Sequence, residues 1–189
     1  MNAQFPFDNT YSTLPSQFFH KQKPATVTKA ELIACNFQLA KELEIKLPSS
    51  GLELIFSGQM IPDGADPLAQ AYAGHQFGSW VPQLGDGRGI LLGQLQTKGG
   101  LMDLHIKGAG KTPYSRFGDG RAVIRSSVRE HLCGEAMFGL GIPSSRSLML
   151  FGSNEPVMRE ETERGAMIVR TAKTPVSYTH LTLPTNREV

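Results

Sequence analysis

The sequence is poor in cysteine, in charge of one sign and in long apolar runs, and each shortage excludes a class of protein. Two cysteines, Cys35 and Cys133, among 189 residues are too few for a disulfide-built domain, and we expect both to be buried in a reducing compartment. A net charge of only +2 argues against a general nucleic-acid binder. No membrane-length apolar run and no secretory signal is visible. We therefore expect a cytoplasmic protein with no nucleic-acid or membrane partner.

The N-terminal part is predicted to be an extension, residues 1–78, that precedes the main domain. We expect a helix over about 28–45, because Thr28 and Glu31 have the spacing of a capping box and apolar residues recur behind them at helical intervals. A second short helix is expected over 67–73, with Asp66 as its cap.

The sequence period then changes to that of strands. Short aliphatic runs over 80–84, 90–96 and 101–106 predict three strands, and the glycines of 85–89 are typical of a hairpin tip between the first two. A helix follows over 122–140, with its apolar residues Val128, Leu132, Ala136 and Leu140 on one face, and two more strands complete the order. This order predicts an α+β lobe over 79–175, an antiparallel sheet with one long packed helix.

The last segment, 176–189, has neither a helical nor a strand period. Its residues match one reading frame of a sequencing-library adapter. We therefore expect this tail to be non-native and the natural sequence after about residue 175 to be missing.

The chemistry is concentrated in two Gly-Asp-Gly-Arg motifs, at 85–88 and 118–121, with Lys107 between them. Glycine allows the backbone to approach a ligand closely, and arginine and lysine suit phosphate. This composition predicts a nucleotide triphosphate site. The order of strand, Lys107, helix and Glu130 is also that of a protein-kinase nucleotide lobe. Two alternatives stay open at this point, a protein kinase and a non-catalytic nucleotide- or RNA-binding module. Ser115 lacks a partnered base at a recognisable spacing, so we do not expect it to be a nucleophile.

Longer motifs carry a resemblance to a known family. The strings YAGHQFGSW, PQLGDGRG, KGAGKTPYSRFGDGRAVIRSSVREHLCGEAM and LGIP closely resemble the selenoprotein O family of protein adenylyltransferases, over residues 5–174. The resemblance implies a protein-kinase-like fold that binds ATP in an inverted orientation. It also implies transfer of AMP from ATP to Ser, Thr or Tyr hydroxyls of protein substrates, with Mg²⁺ as cofactor and Mn²⁺ as the alternative metal.

Carried onto this sequence, the resemblance implies a set of nucleotide-binding residues. These are Gly85, Gly87, Arg88, Lys107, Asp119, Gly120 and Arg170. Glu130 would hold Lys107 in place, and a further family arginine seven residues beyond Arg170 is replaced here by Ser177. The catalytic aspartate and the metal ligands would lie in a second lobe that this sequence lacks, so we expect neither in this chain and expect the fragment alone to be inactive. The oligomeric state is left open.

Overall fold

A computed structural model describes residues 5–173. Two 3-10 turns, Tyr11–Thr13 and Ser16–Phe18, precede the regular elements. The strands are β1 Phe19–Lys21, β2 Glu31–Cys35, β3 Leu68–Gln76, β4 Ser79–Gly85, β5 Gly89–Thr97, β6 Gly100–Lys107, β7 Ala122–Val123, β8 Arg146–Met158 and β9 Thr162–Ala172. The helices are α1 Phe37–Glu42, α2 Leu52–Phe56 and α3 Ile124–Gly139.

The described strands form one antiparallel sheet in the order β1-β3-β5-β6-β9-β8-β2, with β4 paired to β3 and β7 to β9. The predicted α+β class with a large antiparallel sheet is confirmed. The sheet takes β1, β2 and β3 from the stretch that we expected to be a separate extension, so strands from both sides of residue 78 share one sheet.

The two faces of the sheet differ in chemistry. On β6, Leu104 and Ile106 belong to the apolar core, where Phe56 of α2 and Phe151 of β8 pack with ring centroids 5.9 Å apart. Successive residues of a strand point to opposite faces, so His105 and Lys107 project to the other side. That side is covered by α3, which packs on β8 and β9.

Helix α3 turns a polar face to the sheet. Ser127 is its buried residue, whereas Leu132 and Leu140 are 61% and 74% exposed. The reason is electrostatic: the sheet face beneath the helix carries basic side chains, which bind the carboxylates of Glu130 and Glu135. The apolar stripe of the helix is therefore turned away from the sheet.

Two predicted helices are wrong in part or in full. Residues Glu31–Cys35 pair with β8 as a strand, so the helix expected over about 28–45 is confined to Phe37–Glu42, where the Asn36 side chain accepts a hydrogen bond from Leu39 N at 2.9 Å. The helix expected over 67–73 is strand β3. In both places, pairing with neighbouring strands outweighs a local helical signal.

The predicted hairpin around 85–89 is also wrong. Both β4 and β5 run antiparallel to β3, with Gly85 opposite Ala71 and Leu91 opposite Leu68. The chain therefore does not reverse at the first Gly-Asp-Gly-Arg motif, which is an irregular link between two strands on the same side of β3. The backbone N–H of Asp86 still donates to the Gln70 carbonyl at 2.9 Å, which keeps this link attached to β3.

Three remaining expectations concern cysteine, membrane spans and the tail. Cys35 lies partly buried in β2 and Cys133 is exposed on α3, so the expected burial of Cys133 is wrong. Within residues 5–173, no helix combines the length and apolarity needed to cross a membrane. The predicted non-native tail, 176–189, lies outside the described residues.

Candidate functional site

A cleft of about 1170 Å³ opens between the two Gly-Asp-Gly-Arg motifs. All seven residues expected to bind nucleotide line it: Gly85, Gly87, Arg88, Lys107, Asp119, Gly120 and Arg170. They come from the end of β4 and its link to β5, the end of β6, the segment before β7, and β9. The cleft is large enough for a small-molecule ligand of nucleotide size.

Glu130 of α3 binds two cationic side chains, those of Lys107 and Arg170. Its Oε2 pairs with Lys107 Nζ, and its Oε1 accepts from Arg170 Nη1 at 3.1 Å. Burial alone would raise the pKa of Glu130, but attraction to Arg170 and Lys107 holds that pKa below its ordinary value. The predicted Lys107–Glu130 ion pair is confirmed, and the carboxylate binds a second cation that we did not assign to it.

The contacts continue from Arg170 to the first motif through His105. Arg170 Nη2 lies 2.9 Å from His105 Nδ1, and His105 Nε2 lies 3.2 Å from Asp86 Oδ2. Burial lowers the pKa of His105, Asp86 opposes this shift, and Arg170 and Lys107 reinforce it. A continuous chain of polar contacts therefore runs from Lys107 to Asp86.

The first motif is anchored by the segment that follows β6. Thr112 Oγ1 donates to the Asp86 carbonyl at 2.7 Å, Ser115 Oγ donates to the Gly87 carbonyl at 2.5 Å, and Gly108 N donates to the Arg88 carbonyl at 2.7 Å. Three successive carbonyl oxygens are thus occupied by protein donors. These hydrogen bonds satisfy the three carbonyl oxygens within the protein and fix the backbone that leads to Arg88.

Glycine is required in this motif for steric reasons. A Cβ on Gly85 would lie 2.3 Å from the ring of Tyr114, and one on Gly87 would lie 2.9 Å from the Tyr114 carbonyl oxygen. The ring of Tyr114 at Gly85, and the backbone of the same residue at Gly87, leave no room for a side chain at these positions.

The second motif is held by contacts that differ from those of the first. Arg159, in the turn between β8 and β9, donates to both carboxylate oxygens of Asp119, at 2.7 and 3.1 Å. The hydrogen bonds from Arg159 lower the pKa of Asp119. Gly120 has φ +72°. Its carbonyl oxygen accepts a hydrogen bond at 3.0 Å from the backbone N–H of Gly110, in the segment that follows β6. Asp119 thus faces the cleft with its charge already paired.

The cleft carries an excess of positive charge. Six cationic side chains line it: Arg88, Lys107, Arg116, Arg121, Arg159 and Arg170. Four of these have carboxylate partners, whereas Arg88 and Arg116 make no ion pair within residues 5–173. Such a cleft favours a polyanion over a neutral or cationic ligand.

Sequence reasoning missed several residues that shape the site. His105, Asp86 and Arg159 were not assigned a role, and Thr112 and Ser115 act as donors to the first motif. Asp86 was recoverable from the doubled motif, because it holds the same position in the first copy as the assigned Asp119 holds in the second. Nothing in the local sequence around Arg159 indicates that it reaches Asp119, 40 residues away.

No group of three or more His, Cys, Asp or Glu side chains within residues 5–173 is placed to hold a metal ion. The donor set of the cleft, mostly guanidinium and ammonium groups, suits phosphate and not a cation.

The fold and the cleft define an α+β domain with a cationic cleft, and the comparisons with known proteins give its family. The family described as "Protein adenylyltransferase SelO" matches residues 2–183, and the chain belongs to this family. Proteins named "Protein nucleotidyltransferase YdiU" are similar to it. The one from Aliivibrio salmonicida is 51% identical over 174 residues, covering 90% of this chain and 36% of the relative. Those from Rhizobium leguminosarum bv. trifolii and Vibrio atlanticus are 51% and 49% identical, covering 35% and 37% of the relatives. The chain thus spans about a third of the length of these curated relatives.

Proposed function

We propose that this chain binds the triphosphate of ATP in the cleft and forms the nucleotide-binding part of an enzyme that transfers AMP to protein Ser, Thr or Tyr hydroxyls. The observation that carries the proposal is the convergence of Arg88, Lys107 and Arg170 on one cleft with the backbone of the first Gly-Asp-Gly-Arg motif. Family membership and the printed names of the relatives support nucleotidyl transfer as the reaction class.

The charges of the cleft suit this reaction. In AMP transfer the substrate hydroxyl oxygen bonds to the α-phosphorus, the bond from that phosphorus to the β-phosphate oxygen breaks, and pyrophosphate leaves with the electron pair. Negative charge therefore grows on the leaving group. Arg88, Lys107 and Arg170 would stabilise it, because fixed cations act most strongly on charge that develops in the transition state.

The proton of the substrate hydroxyl needs an acceptor, and we place that base outside residues 5–173. Lys107 and the arginines lining the cleft are positively charged, and Asp119 is occupied by Arg159. Asp86 and His105 are occupied by each other and by Gln70 N and Arg170. The Mg²⁺ or Mn²⁺ expected of the family would screen phosphate charge, and we place its ligands outside these residues too. The described part therefore binds and orients the polyphosphate.

Nucleotide binding is tested first, by titration calorimetry of the chain with ATP. If the cations hold the polyphosphate, tripolyphosphate should compete with ATP and adenosine should not. Saturable binding that adenosine displaces and tripolyphosphate does not would contradict the proposal.

The transfer reaction is tested in a chimera that joins residues 5–173 of this chain to the remaining part of the Aliivibrio salmonicida relative. The chimera is incubated with ATP and a cell extract, and modified proteins are identified by mass spectrometry. A gain of AMP on hydroxyl side chains supports the proposal. A gain of phosphate would indicate a kinase, and no modification alongside ATP binding would indicate a binding module.

A further inference from the structure

His105 occupies the most enclosed position in the chain of polar contacts beneath the cleft. It is 2% exposed, lies directly opposite Arg170 in the pairing of β6 with β9, and separates that arginine from Asp86. A buried imidazole has two ring nitrogens to satisfy, and here both have partners.

The partners determine where the ring proton lies. A guanidinium has only donors, so Arg170 Nη2, at 2.9 Å, requires Nδ1 of His105 to accept. The proton is then on Nε2, which donates to Asp86 Oδ2 at 3.2 Å. His105 is thus neutral, in the Nε2–H tautomer, with a cation on one side and a carboxylate on the other.

Asp86 is itself fixed. Its Oδ2 also accepts from Gln70 N at 3.0 Å, and its backbone carbonyl accepts from Thr112. Along the edge of the ring between its two nitrogens, a Cβ on Gly89 would lie 2.2 Å from His105 Cε1, so the strand leaves room for the imidazole only because residue 89 is glycine. The orientation of the His105 ring is therefore fixed by Asp86 and by the backbone at Gly89.

We propose that His105 is a positioning residue whose neutral ring, oriented by Asp86, holds the guanidinium of Arg170 in place beside Glu130 for a phosphate ligand. The consequence for nucleotide binding rests on the proposed function. With Glu130 on Nη1 and His105 on Nη2, both terminal nitrogens of Arg170 are anchored before any ligand arrives. Less side-chain freedom is then lost on binding.

The first test compares two substitutions in the full chain. In His105→Gln, the side-chain oxygen can accept from Arg170 while the amide donates to Asp86, so ATP affinity should stay within about threefold of the parent. In His105→Leu neither contact is possible, and affinity should fall about tenfold or more. His20→Leu, at an exposed position in β1, is the control and should bind as the parent does. Unchanged affinity in folded His105→Leu would overturn the proposal.

A double substitution shows whether His105 acts through Arg170. Once Arg170→Ala has removed the guanidinium, adding His105→Leu should weaken ATP binding little further. Losses that multiply independently would show that His105 acts by another route and would overturn the proposal.

A nucleotide-free measurement separates this inference from the proposed function. The ¹⁵N spectrum of the histidine rings in the full chain should show an unprotonated Nδ1 and a protonated Nε2 for the resonance that is absent in His105→Gln. An Nδ1–H tautomer or a doubly protonated ring would overturn the inference. If the parent chain binds no ATP, the proposed function fails, and this spectrum alone decides the tautomer and the contact to Arg170. If His105→Leu does not fold, the same ¹⁵N spectrum of the parent chain still tests whether His105 Nδ1 accepts from Arg170.

Discussion

Lys107 at the end of β6 and Glu130 in α3 form an ion pair under the cleft, and Glu130 shares its second oxygen with Arg170. Burial lowers the pKa of Lys107, Glu130 opposes this shift, and Arg170 adds to it. One carboxylate thus holds two cations close together, and the three groups taken together keep a net positive charge. A bound phosphate would supply the missing negative charge.

Replacement of Lys107 should weaken nucleotide binding without unfolding the protein. We expect Lys107→Ala to reduce ATP affinity about 10- to 100-fold, the loss of one charge-assisted contact. Lys107→Arg should also be poor, because a planar fork does not replace a point charge held by Glu130. Calorimetry measures the affinity and circular dichroism checks the fold. Lys98→Ala, at an exposed lysine, is the control, and an equal loss in both alanine variants would contradict a specific role for Lys107.

The components of the site could be predicted from the sequence, whereas their connections could not. The doubled Gly-Asp-Gly-Arg motif and Lys107 indicate phosphate by residue type alone, and all line one cleft. The contact of His105 with Arg170 depends on the register of β6 against β9, between residues 65 apart. The alternation of apolar and polar residues along a strand shows which side chains share a face of the sheet. It does not show which strand pairs with it or in which register.

The errors in the fold have the same origin. The run that begins at Glu31 has apolar residues at helical spacing, yet Glu31–Cys35 pairs with the outer edge of β8. The first Gly-Asp-Gly-Arg motif has the composition of a hairpin tip, yet its chain stays beside β3. In both cases the deciding hydrogen bonds come from residues distant in sequence.

Arg159 should control the order of the second motif. We expect Arg159→Leu to release Asp119 and to speed amide exchange around 118–121, with a loss of global stability of about 1 kcal/mol or less because the pair is partly exposed. Hydrogen exchange read by mass spectrometry measures this. Arg164→Leu removes a more exposed ion pair, to Glu31, and serves as control. Unchanged exchange at 118–121 in Arg159→Leu would contradict the role.

Gly120 should tolerate no side chain, for two reasons that can be separated. Its φ is +72°, and a Cβ would lie 2.0 Å from the Gly110 carbonyl carbon. Gly78 has a similar φ of +78° with nothing within 4 Å of the added Cβ. We expect Gly78→Ala to cost about 1 kcal/mol from backbone conformation alone, and Gly120→Ala to cost more than about 3 kcal/mol. Urea unfolding measures both, and equal costs would show that the backbone at Gly120 can move aside.

Asp103 on β6 is buried at 2% exposure beside the amide of Gln94, which donates to its Oδ1 at 2.9 Å. Burial raises the pKa of Asp103 from 3.8 to about 6, against the opposing hydrogen bond from Gln94. Because burial disfavours the charged form of a carboxyl group, an uncharged side chain at position 103 would suit this site better than a carboxylate does.

Asp103→Asn should remove a pH dependence of stability. The folded chain holds the Asp103 proton more tightly than the unfolded chain, so the free energy of unfolding should fall as pH rises from 3.8 to about 6 and level off above that. The shift corresponds to about 3 kcal/mol at most. Urea unfolding at pH 4, 5, 6 and 7 should show the gain from Asp103→Asn growing across this window, while Asp63→Asn, at an exposed site, should show no such growth. A difference between Asp103→Asn and the parent that stays constant from pH 4 to 7 would mean that Asp103 titrates alike in the folded and unfolded chains.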